Sequence, residues 1–318
     1  AAPRRPKETS VIEIESFTKS YDGFLAVRSL TLGIERGEVY GFIGPNGAGK
    51  TTTIRFLSTL LEPTAGTARI NGYDVVKEPW EVRRSIGFMP DSYGVYNGMR
   101  VGEFLDFFAL AYGVPRIKRR QLIDDVLALV DLDSKKGDFV NALSRGMKQR
   151  LCLARTLIHD PPVLILDEPA SGLDPRARVE IKEILRELAT MGKTILISSH
   201  ILTELADICS SVAIMERGDL VASGRIADVL AKVSEQRRVS VQVLHDQEGA
   251  RRWLEGQPDL REVAIVDGRL SFGFGGDAAR VAELASKLAE RGHQPAWIEE
   301  HKPSLETAFL TMTEGRVQ

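Results

Sequence analysis

The segment GPNGAGKT at residues 44–51 constrains the fold of this chain more than any other feature. It follows the apolar, β-rich run GEVYGFIG at 37–44 and precedes a helical pattern that starts at about Gly49. A glycine-rich turn between a strand and a helix lets backbone N–H groups surround phosphate oxygens, and the helix N-terminus adds a favourable dipole. The pattern therefore predicts a phosphate-binding loop in an α/β fold.

The residues of this loop have different expected parts in phosphate binding. The Lys50 ammonium would neutralise β- and γ-phosphates, and the Thr51 hydroxyl would be a ligand of Mg²⁺. The expected nucleotide contacts also include Gly44, Pro45, Asn46, Gly47, Ala48, Gly49 and Thr52. The loop therefore predicts a nucleoside phosphate and Mg²⁺ as ligands, and the family resemblance given below implies that the nucleotide is ATP.

A pair of acids follows the second buried strand, VLILDEP at 163–169. Asp167 and Glu168 end this run, so they lie at the carboxyl end of a strand, where α/β sheets bind ligands. Asp167 suits a Mg²⁺ partner, and Glu168 could polarise the attacking water as a general base. Together with the loop upstream, the pair predicts nucleotide hydrolysis.

Composition describes an ordinary globular protein with no general attraction to nucleic acid. The 318 residues carry 42 Lys and Arg against 44 Asp and Glu, a formal net charge of -2. Cys152 and Cys209 lie too far apart for a zinc ribbon or a disulfide framework, and we interpret them as buried thiols. The most apolar stretch, FLDFFALAYGV at 104–114, is too short to span a bilayer. A membrane role must be peripheral.

The chain changes character after Val233, which predicts two domains behind a flexible tail at 1–10. Residues 11–235 alternate strands and helices, as in KTILISSH at 193–200 and the helix at 175–188, so a mostly parallel sheet is expected. A mainly helical subdomain interrupts this alternation at about 92–160. Residues 236–318 follow the order β-α-β-β-α-β of a small ferredoxin-like module.

The segment LSRGMKQR at 143–150 lies between the phosphate loop and the acidic strand, and it resembles the signature of ABC transporter ATP-binding subunits. The resemblance covers about 10–235 and implies a P-loop ABC ATPase core. Ser144 and Gly146 open a helix whose N-terminus could meet a γ-phosphate. A plain N-cap at Ser144 fits the same residues and does not exclude that role.

Three more segments match the family in its order. Tyr21, in SYDGFLAV, resembles the aromatic residue that stacks on adenine. Asp174 ends SGLD, which resembles the loop that crosses the dimer interface, and His200 resembles the switch histidine that contacts the γ-phosphate. The resemblance implies that Lys50, Glu168 and His200 form the catalytic set.

The sequence departs from the family pattern at two places. Arg145 and Met147 stand where the family usually has Gly and Gln, but the serine and glycine of the signature remain, so activity is expected. Asp91 follows the strand IGFMP at 86–90, where the family has a Gln that links Mg²⁺ and water to the permease. Aspartate can still bind Mg²⁺ or orient water, so Asp91 is a candidate metal ligand.

The resemblance also implies partners. With one nucleotide-binding domain, the chain would form a homodimer, or a heterodimer with a similar subunit, that shares ATP across its interface. It would work on separate permease subunits at the cytoplasmic face of the membrane. GVYNGMRVGEFLDFFA and PSLETAFL look like drug- and polymer-exporter subunits. The aromatic residues after Asp91 predict either a permease-docking surface or the core of the helical subdomain: Tyr93, Tyr96, Phe104, Phe107, Phe108 and Tyr112.

Two other classes of function remain open at this point. One is a soluble ABC-type ATPase in translation or DNA maintenance, which the single nucleotide domain, the absence of heptads and the lack of net positive charge disfavour. The other is a nucleotide-sensing scaffold without turnover. The intact set of Lys50, Asp167 and Glu168 disfavours the scaffold.

Overall fold

A computed structural model describes residues 9–312, apart from 93, 95, 97, 202–204, 234–236, 277 and 302–304. Most of the expected flexible tail at 1–10 therefore lies outside the described residues, and so does Tyr93. The chain divides into two compact units, Ala1–Ile226 and Ala227–Gln318.

The first unit contains two sheets and a helical region. Its strands are β1 (Ser10–Tyr21), β2 (Phe24–Glu35), β3 (Val39–Ile43), β4 (Ala65–Ile70), β5 (Tyr73–Asp74), β6 (Ile86–Met89), β7 (Val163–Asp167), β8 (Thr194–Ser199), β9 (Ser211–Glu216) and β10 (Asp219–Arg225). Its helices are α1 (Lys50–Leu57), α2 (Pro79–Ser85), α3 (Val101–Ala111), α4 (Arg116–Leu129), α5 (Arg145–Leu157) and α6 (Pro175–Thr190).

The six-stranded sheet has the order β10-β9-β3-β8-β7-β6, and only the β9–β10 pair is antiparallel. Every residue of β3, β7 and β8 is buried. Parallel strands covered on both faces need continuous apolar runs of this kind, which explains why the sequence identified them. The mostly parallel α/β core is confirmed.

The second sheet of this unit, β2-β1-β4-β5, is antiparallel and was not anticipated from the sequence. Its main hairpin joins β1 to β2 through Asp22 and Gly23, which both have positive φ, 47° and 88°. Two-residue turns of that kind match the right-handed twist of paired strands. Tyr21 and Phe24 form the last pair before the turn.

The helices α3, α4 and α5 occupy the region predicted to be mainly helical. Phe104 is fully buried, whereas Phe107 is 46% exposed, so α3 has one face in the core and another on the surface. Cys152 and Cys209 are buried free thiols, as predicted. Burial raises the pKa of Cys152 to about 11, so this thiol stays protonated at neutral pH.

The second unit contains α7 (Ile226–Val233), β11 (Arg237–Val243), α8 (Gln247–Glu255), β12 (Leu260–Val266), β13 (Arg269–Phe274), α9 (Ala278–Glu290), β14 (Pro295–His301) and α10 (Leu305–Met312). Its antiparallel sheet has the order β12-β13-β11-β14. Val239, Leu270 and Phe272 of the sheet pack in one apolar cluster with Leu254 of α8 and Leu284 of α9. The order confirms the expected ferredoxin-like module.

No helix within the described part of the chain combines the length and the apolar character needed to cross a membrane.

Candidate functional site

A cavity of about 460 Å³ opens where the phosphate loop, the end of β7 and the β1–β2 hairpin come together. It gathers most of the residues predicted from the sequence. The lining residues are Tyr21, Phe24, Ala26, Pro45, Asn46, Gly47, Ala48, Gly49, Lys50, Thr51, Thr52, Asp91, Glu168, Ser171 and His200.

Two glycines of the loop are required by close backbone approach. A Cβ atom on Gly44 would lie 2.4 Å from the Met215 carbonyl oxygen. Gly49 has φ 102°, and a Cβ there would lie 2.7 Å from the Ala26 carbonyl oxygen. Any other residue at either position would push the loop away from β9 or from β2. Packing against the neighbouring strands therefore holds the loop in place at the N-terminus of α1.

Lys50, the first residue of α1, folds back over the loop and is only 5% exposed. Its Nζ donates to the carbonyl oxygens of Gly44 at 2.6 Å and Pro45 at 3.2 Å. The same nitrogen lies 3.7 Å from Glu168 Oε1. Burial lowers the pKa of Lys50, and the negative charges of Glu168 and Asp167 oppose that change. The loop thus holds a buried cation close to acids at the end of β7.

Asp167 is 2% exposed and is bound by two hydroxyls. Ser198 Oγ donates to Asp167 Oδ1 at 2.6 Å, and Thr51 Oγ1 donates to the same oxygen at 3.4 Å. Burial raises the pKa of Asp167, the two hydroxyl donors oppose the rise, and the neighbouring Asp91 and Glu168 add to it. The structure therefore brings together Asp167 and Thr51, the two residues that the sequence analysis named as candidate ligands of one Mg²⁺ ion.

Glu168 is positioned by its own backbone as well as by its side chain. It has a positive φ of 51°, uncommon for a residue with a side chain, and its N–H donates to Ser198 Oγ at 2.9 Å. His200 Nδ1 lies 2.7 Å from Glu168 Oε2. One carboxylate thus connects the loop lysine to the histidine at the end of β8, inside the cavity.

Two aromatic side chains of the β1–β2 hairpin also line the cavity. Tyr21 and Phe24 are 42% and 68% exposed, and their pairing across the hairpin places both side chains on one face of it. Lys19 Nζ lies 5.1 Å from the centre of the Tyr21 ring. The sequence predicted Tyr21 alone. Its pairing with Phe24 depends on the two-residue turn, which the sequence analysis did not use.

Ser144, Gly146 and Asp174 are absent from the lining of the cavity, among the residues that the structure describes. Ser144 caps α5 by accepting from the Met147 N–H at 3.3 Å, so the plain N-cap interpretation is correct in this chain. Asp174 caps α6 by accepting from the Ala177 N–H at 3.0 Å. Both caps lie at exposed helix starts.

The unusual signature residue Arg145 contacts the loop that Asp174 ends. Its guanidinium donates to the Ser171 carbonyl oxygen at 3.4 Å. A Cβ atom on Gly172, which has φ 68°, would collide with the same guanidinium at 2.1 Å. Arg145 therefore joins the start of α5 to a loop whose Ser171 lines the cavity.

Asp91 lies in the cavity wall, where its Oδ1 accepts from the Ser92 N–H at 2.8 Å. Its charge contributes to the raised pKa of Asp167, so the two acids lie within electrostatic reach of one another. Among the described residues, no group of three or more His, Cys, Asp or Glu side chains is arranged to hold a metal ion.

Sequence reasoning missed Phe24, Ala26 and Ser171 of the cavity lining, and also Ser198, which bonds Asp167. Ser198 precedes the predicted histidine by two residues in a fully buried strand, where a hydroxyl needs a hydrogen-bond partner. That signal was present in ILISSH. Phe24 and Ser171 carried no comparable signal, because only the folded hairpin and the loop after β7 bring them to the cavity.

Comparison with known proteins identifies the family. The family model described as ABC transporter matches residues 27–171. The chain is 33% identical to an uncharacterized ABC transporter ATP-binding protein, YxlF, of Bacillus subtilis, over 94% of this chain and 98% of that protein. It is also 33% identical to the Nod factor export ATP-binding protein I of Ralstonia nicotianae, over 96% and 94% of the two chains.

Solved structures agree with the sequence relatives. The ATP-binding subunit of an ABC transporter superimposes with a TM-score of 0.65 at 31% identity, covering 70% of this chain and 93% of that one. CbiO1 of Clostridium perfringens, part of the complex cbiONQ, gives a TM-score of 0.64 at 29% identity, covering 71% and 95%. The phosphate loop, the acidic strand and these likenesses lead to one conclusion: the chain belongs to the ATP-binding proteins of ABC transporters and is an ATPase of that family.

Proposed function

We propose that the cavity around the phosphate loop binds Mg²⁺-ATP and that its hydrolysis drives a separate membrane permease, in the direction of export. The observation that carries the proposal is the connected set of Lys50, Glu168 and His200 beside the Asp167–Thr51 pair. This set supplies a cation for phosphates, a base for water and oxygen ligands for a metal within one wall.

The residues present fit a Mg²⁺ ion. Thr51 Oγ1 and Asp167 Oδ1 are oxygen ligands 3.4 Å apart, and protein Mg²⁺ sites commonly use one or two such ligands plus substrate phosphates. The lack of a larger acidic cluster in the described chain agrees with that mode of binding. When bound, Mg²⁺ would neutralise charge on the β- and γ-phosphates. Asp91 is a candidate third ligand or a residue that orients water.

Glu168 is the proposed general base. Its backbone conformation and the bond to Ser198 fix the start of the side chain, while Lys50 and His200 each contact one carboxylate oxygen. An ATP γ-phosphate near Lys50 would compete for the lysine, since both are anions seeking the same cation. Release of one carboxylate oxygen would then leave it free to accept a proton from water.

ATP is proposed to be shared between two chains. Ser144, Gly146 and Asp174 lie outside the cavity of their own chain, although two of them begin helices whose N-terminal N–H groups favour anions. A second copy, or a similar subunit, would bring these groups to the γ-phosphate held by Lys50. No nucleic acid is expected in this arrangement.

A groove of about 500 Å³ supports contact with a permease. It lies between α2 and β6 on one side and α3 on the other, within the first unit, and its lining is more apolar than that of the ATP cavity. Trp80 on its rim is 70% exposed, with the Arg83 guanidinium 5.1 Å from its ring. The lining residues are Ser58, Leu60, Trp80, Arg83, Arg84, Ile86, Phe88, Phe108, Ala111, Tyr112, Gly113, Arg155 and Thr156.

The aromatic residues after Asp91 divide between the core and this groove. Phe104 belongs to the core, while Phe108 and Tyr112 line the groove. A short apolar segment of a permease, at the cytoplasmic face of the membrane, would fit there. Asp91 lies in the ATP cavity and only a few residues before α3, so it is a proposed link between nucleotide and permease. Asp91→Ala should leave measurable basal hydrolysis in the isolated chain and weaken its stimulation by the permease, whereas loss of basal hydrolysis would place Asp91 with the catalytic residues.

Export is proposed from the relatives, which include a Nod factor exporter and a probable multidrug transporter of Escherichia coli. These relatives give no support to a soluble ATPase in translation or DNA maintenance, or to a scaffold without turnover. The cargo depends on the permease. Isolation of the membrane protein that copurifies with this chain would identify it.

The decisive experiment measures phosphate release by the purified chain. Glu168→Gln should bind ATP normally and hydrolyse it at least about 100-fold more slowly, because it removes a general base. Glu187→Gln, an exposed change on α6, is the matched control and should keep full activity. Near-normal turnover by Glu168→Gln would remove this residue from catalysis and leave the proposed site without a base.

A further inference from the structure

The end of α3 and the start of α4, close together in sequence, expose both apolar and basic side chains. We call these residues the basic–apolar patch. Its apolar members are Phe107, Leu110, Tyr112 and Ile117, which are 46%, 60%, 44% and 90% exposed. Its basic members are Arg116, Lys118 and Arg120, all exposed. Exposed apolar residues rimmed by charged ones are typical of protein or membrane contact surfaces rather than of plain solvated faces.

Three charges of the patch have no ion-pair partner among the residues that the structure describes. Arg119, the one basic residue of this run that is partly buried, pairs with Asp106 at 3.4 Å. Among the described residues, no acid lies within ion-pair distance of Arg116, Lys118 or Arg120. Basic residues in the first turn of a helix also oppose its dipole, so they do not stabilise α4. The three cations are therefore free to meet an external anion.

We propose that the basic–apolar patch binds the anionic phospholipid surface of the membrane. Lys and Arg beside a negative lipid surface gain electrostatic energy, and exposed apolar side chains enter the boundary between head groups and acyl chains. Ile117, almost fully exposed between two cations in sequence, has the chemistry for that boundary. The inference rests on the proposed function, which places the chain beside a permease.

The basic–apolar patch adjoins the groove between α2, β6 and α3 and shares one residue with it. Tyr112 belongs to both surfaces, whereas Arg116, Ile117, Lys118 and Arg120 do not line the groove. A permease segment seated in the groove would emerge from the bilayer, so the surface next to the groove would lie close to lipid head groups. Charge complementarity favours an anionic lipid as the occupant over a second protein contact at these residues.

Net charge makes the proposal easy to test. The whole chain has a formal charge of -2, so a negative membrane does not attract it as a whole. Any preference for anionic vesicles must come from a local cluster of cations. We expect the purified ATPase to float with vesicles of phosphatidylcholine and phosphatidylglycerol and to stay behind with phosphatidylcholine alone. Raising salt from about 0.1 M to about 1 M should release it, since the screening length falls from about 10 to about 3 Å.

The charge variant combines Arg116→Gln, Lys118→Gln and Arg120→Gln. Three cations near an anionic surface predict a loss of binding to the mixed vesicles of about 100-fold. The control removes three exposed cations elsewhere, with Arg186→Gln, Arg252→Gln and Arg261→Gln, and should bind as the original chain does. Equal binding by the charge variant and the original chain would overturn the proposal, and so would equal binding of the original chain to neutral and anionic vesicles.

The apolar part has its own variant, Ile117→Ser, which should weaken vesicle binding while leaving the charges intact. ATP hydrolysis should be unchanged in all these variants, because none of the altered residues lines the nucleotide cavity. Normal hydrolysis shows that the variants are folded.

If the charge variant loses only binding to a permease and keeps binding to lipid vesicles, the patch contacts protein and the lipid assignment is wrong. The Glu168→Gln test of the proposed function is independent of every vesicle result.

Discussion

The ATP cavity and the signature surface, by which we mean the exposed starts of α5 and α6 at Ser144 and Asp174, differ in how many polar partners each has within the chain. Lys50 in the cavity wall and Asp167 next to that wall are buried, and each has polar partners from other segments of the same unit. At the signature surface, Ser144 and Asp174 are exposed, and each accepts a hydrogen bond from an N–H of its own helix. Burying an ion is costly unless it is paired, so the cavity had to be assembled by the fold. The signature surface buries no ion, so the fold of one chain does not have to supply partners for it.

The largest expected effect separates the two regions by ATP binding. Lys50→Ala removes the buried cation that faces the phosphates and should weaken ATP binding by about 100-fold or more, as loss of one partner in a buried charge pair does. Ser144→Arg should leave binding to the isolated chain intact but abolish hydrolysis, because the proposed contact is with the other chain. Calorimetry of ATP binding and phosphate release measure the two quantities.

The control for Lys50→Ala comes from the second unit. Lys287→Ala removes an equal charge that pairs with Glu283 on the surface of α9, and ATP binding should not change. Unchanged ATP binding by Lys50→Ala itself would refute the phosphate-loop assignment. Weak ATP binding by Ser144→Arg would show that the two regions act within one chain.

A mixed dimer tests the division between the regions directly. Lys50→Ala and Ser144→Arg homodimers should each be inactive, since every shared site carries one damaged half. In a heterodimer of the two variants, one site has both lesions and the other has none. Purified from differently tagged chains, it should recover up to about half of the original hydrolysis if the sites act independently.

Cooperation between sites could suppress turnover in the mixed dimer, so ATP-dependent association of the chains is measured on the same sample. A verified heterodimer that shows neither hydrolysis nor association contradicts the shared site. A cavity that is complete in each chain predicts that negative result.

A smaller effect is expected from the aromatic side chains that line the cavity. Phe24→Ala removes a ring that shares a hairpin face with Tyr21, and loss of one base–aromatic stack should raise the KM for ATP by about 10-fold. The turnover number should not change, because Phe24 has no proposed part in the chemistry of Asp167 and Glu168. Stacking does not involve hydrogen bonds to the edge of the base, so the KM for GTP should rise as much as the KM for ATP. Phe107→Ala, another exposed aromatic change, is the control, and a KM for ATP unchanged by Phe24→Ala would exclude the contact.

The smallest effect is expected from a surface ion pair of the C-terminal module. Arg280 bonds Asp259 at 2.8 and 3.0 Å and holds the pKa of that carboxyl below its usual range. Both side chains are partly exposed, and exposed pairs contribute only about 0.2–1 kcal/mol to unfolding free energy. Arg280→Gln should lower stability by no more than this and leave hydrolysis unchanged. Urea unfolding measures the change, and a loss of several kcal/mol would show that the pair has a larger structural role.

The sequence predicted elements where a local pattern and a long-range requirement agree. β3, β7 and β8 were recognised because strands buried on both faces must be continuously apolar, and the helices α1 and α6 followed turns with clear start signals. The antiparallel sheet built on β1 and β2 was missed. Its long strands are interrupted by irregular pairing and mix buried with exposed positions, so they show no clean alternation.

By itself, the sequence determined the phosphate loop, the acids after β7 and the family to which the chain belongs, because each depends on residue types at fixed spacing along the chain. The tertiary structure decided which of these residues meet. It joined Glu168 to both Lys50 and His200, added Ser198 beneath Asp167, and kept Ser144 outside the cavity. The physical reason is that contacts between distant segments follow from strand order and packing, which spacing along the chain does not contain.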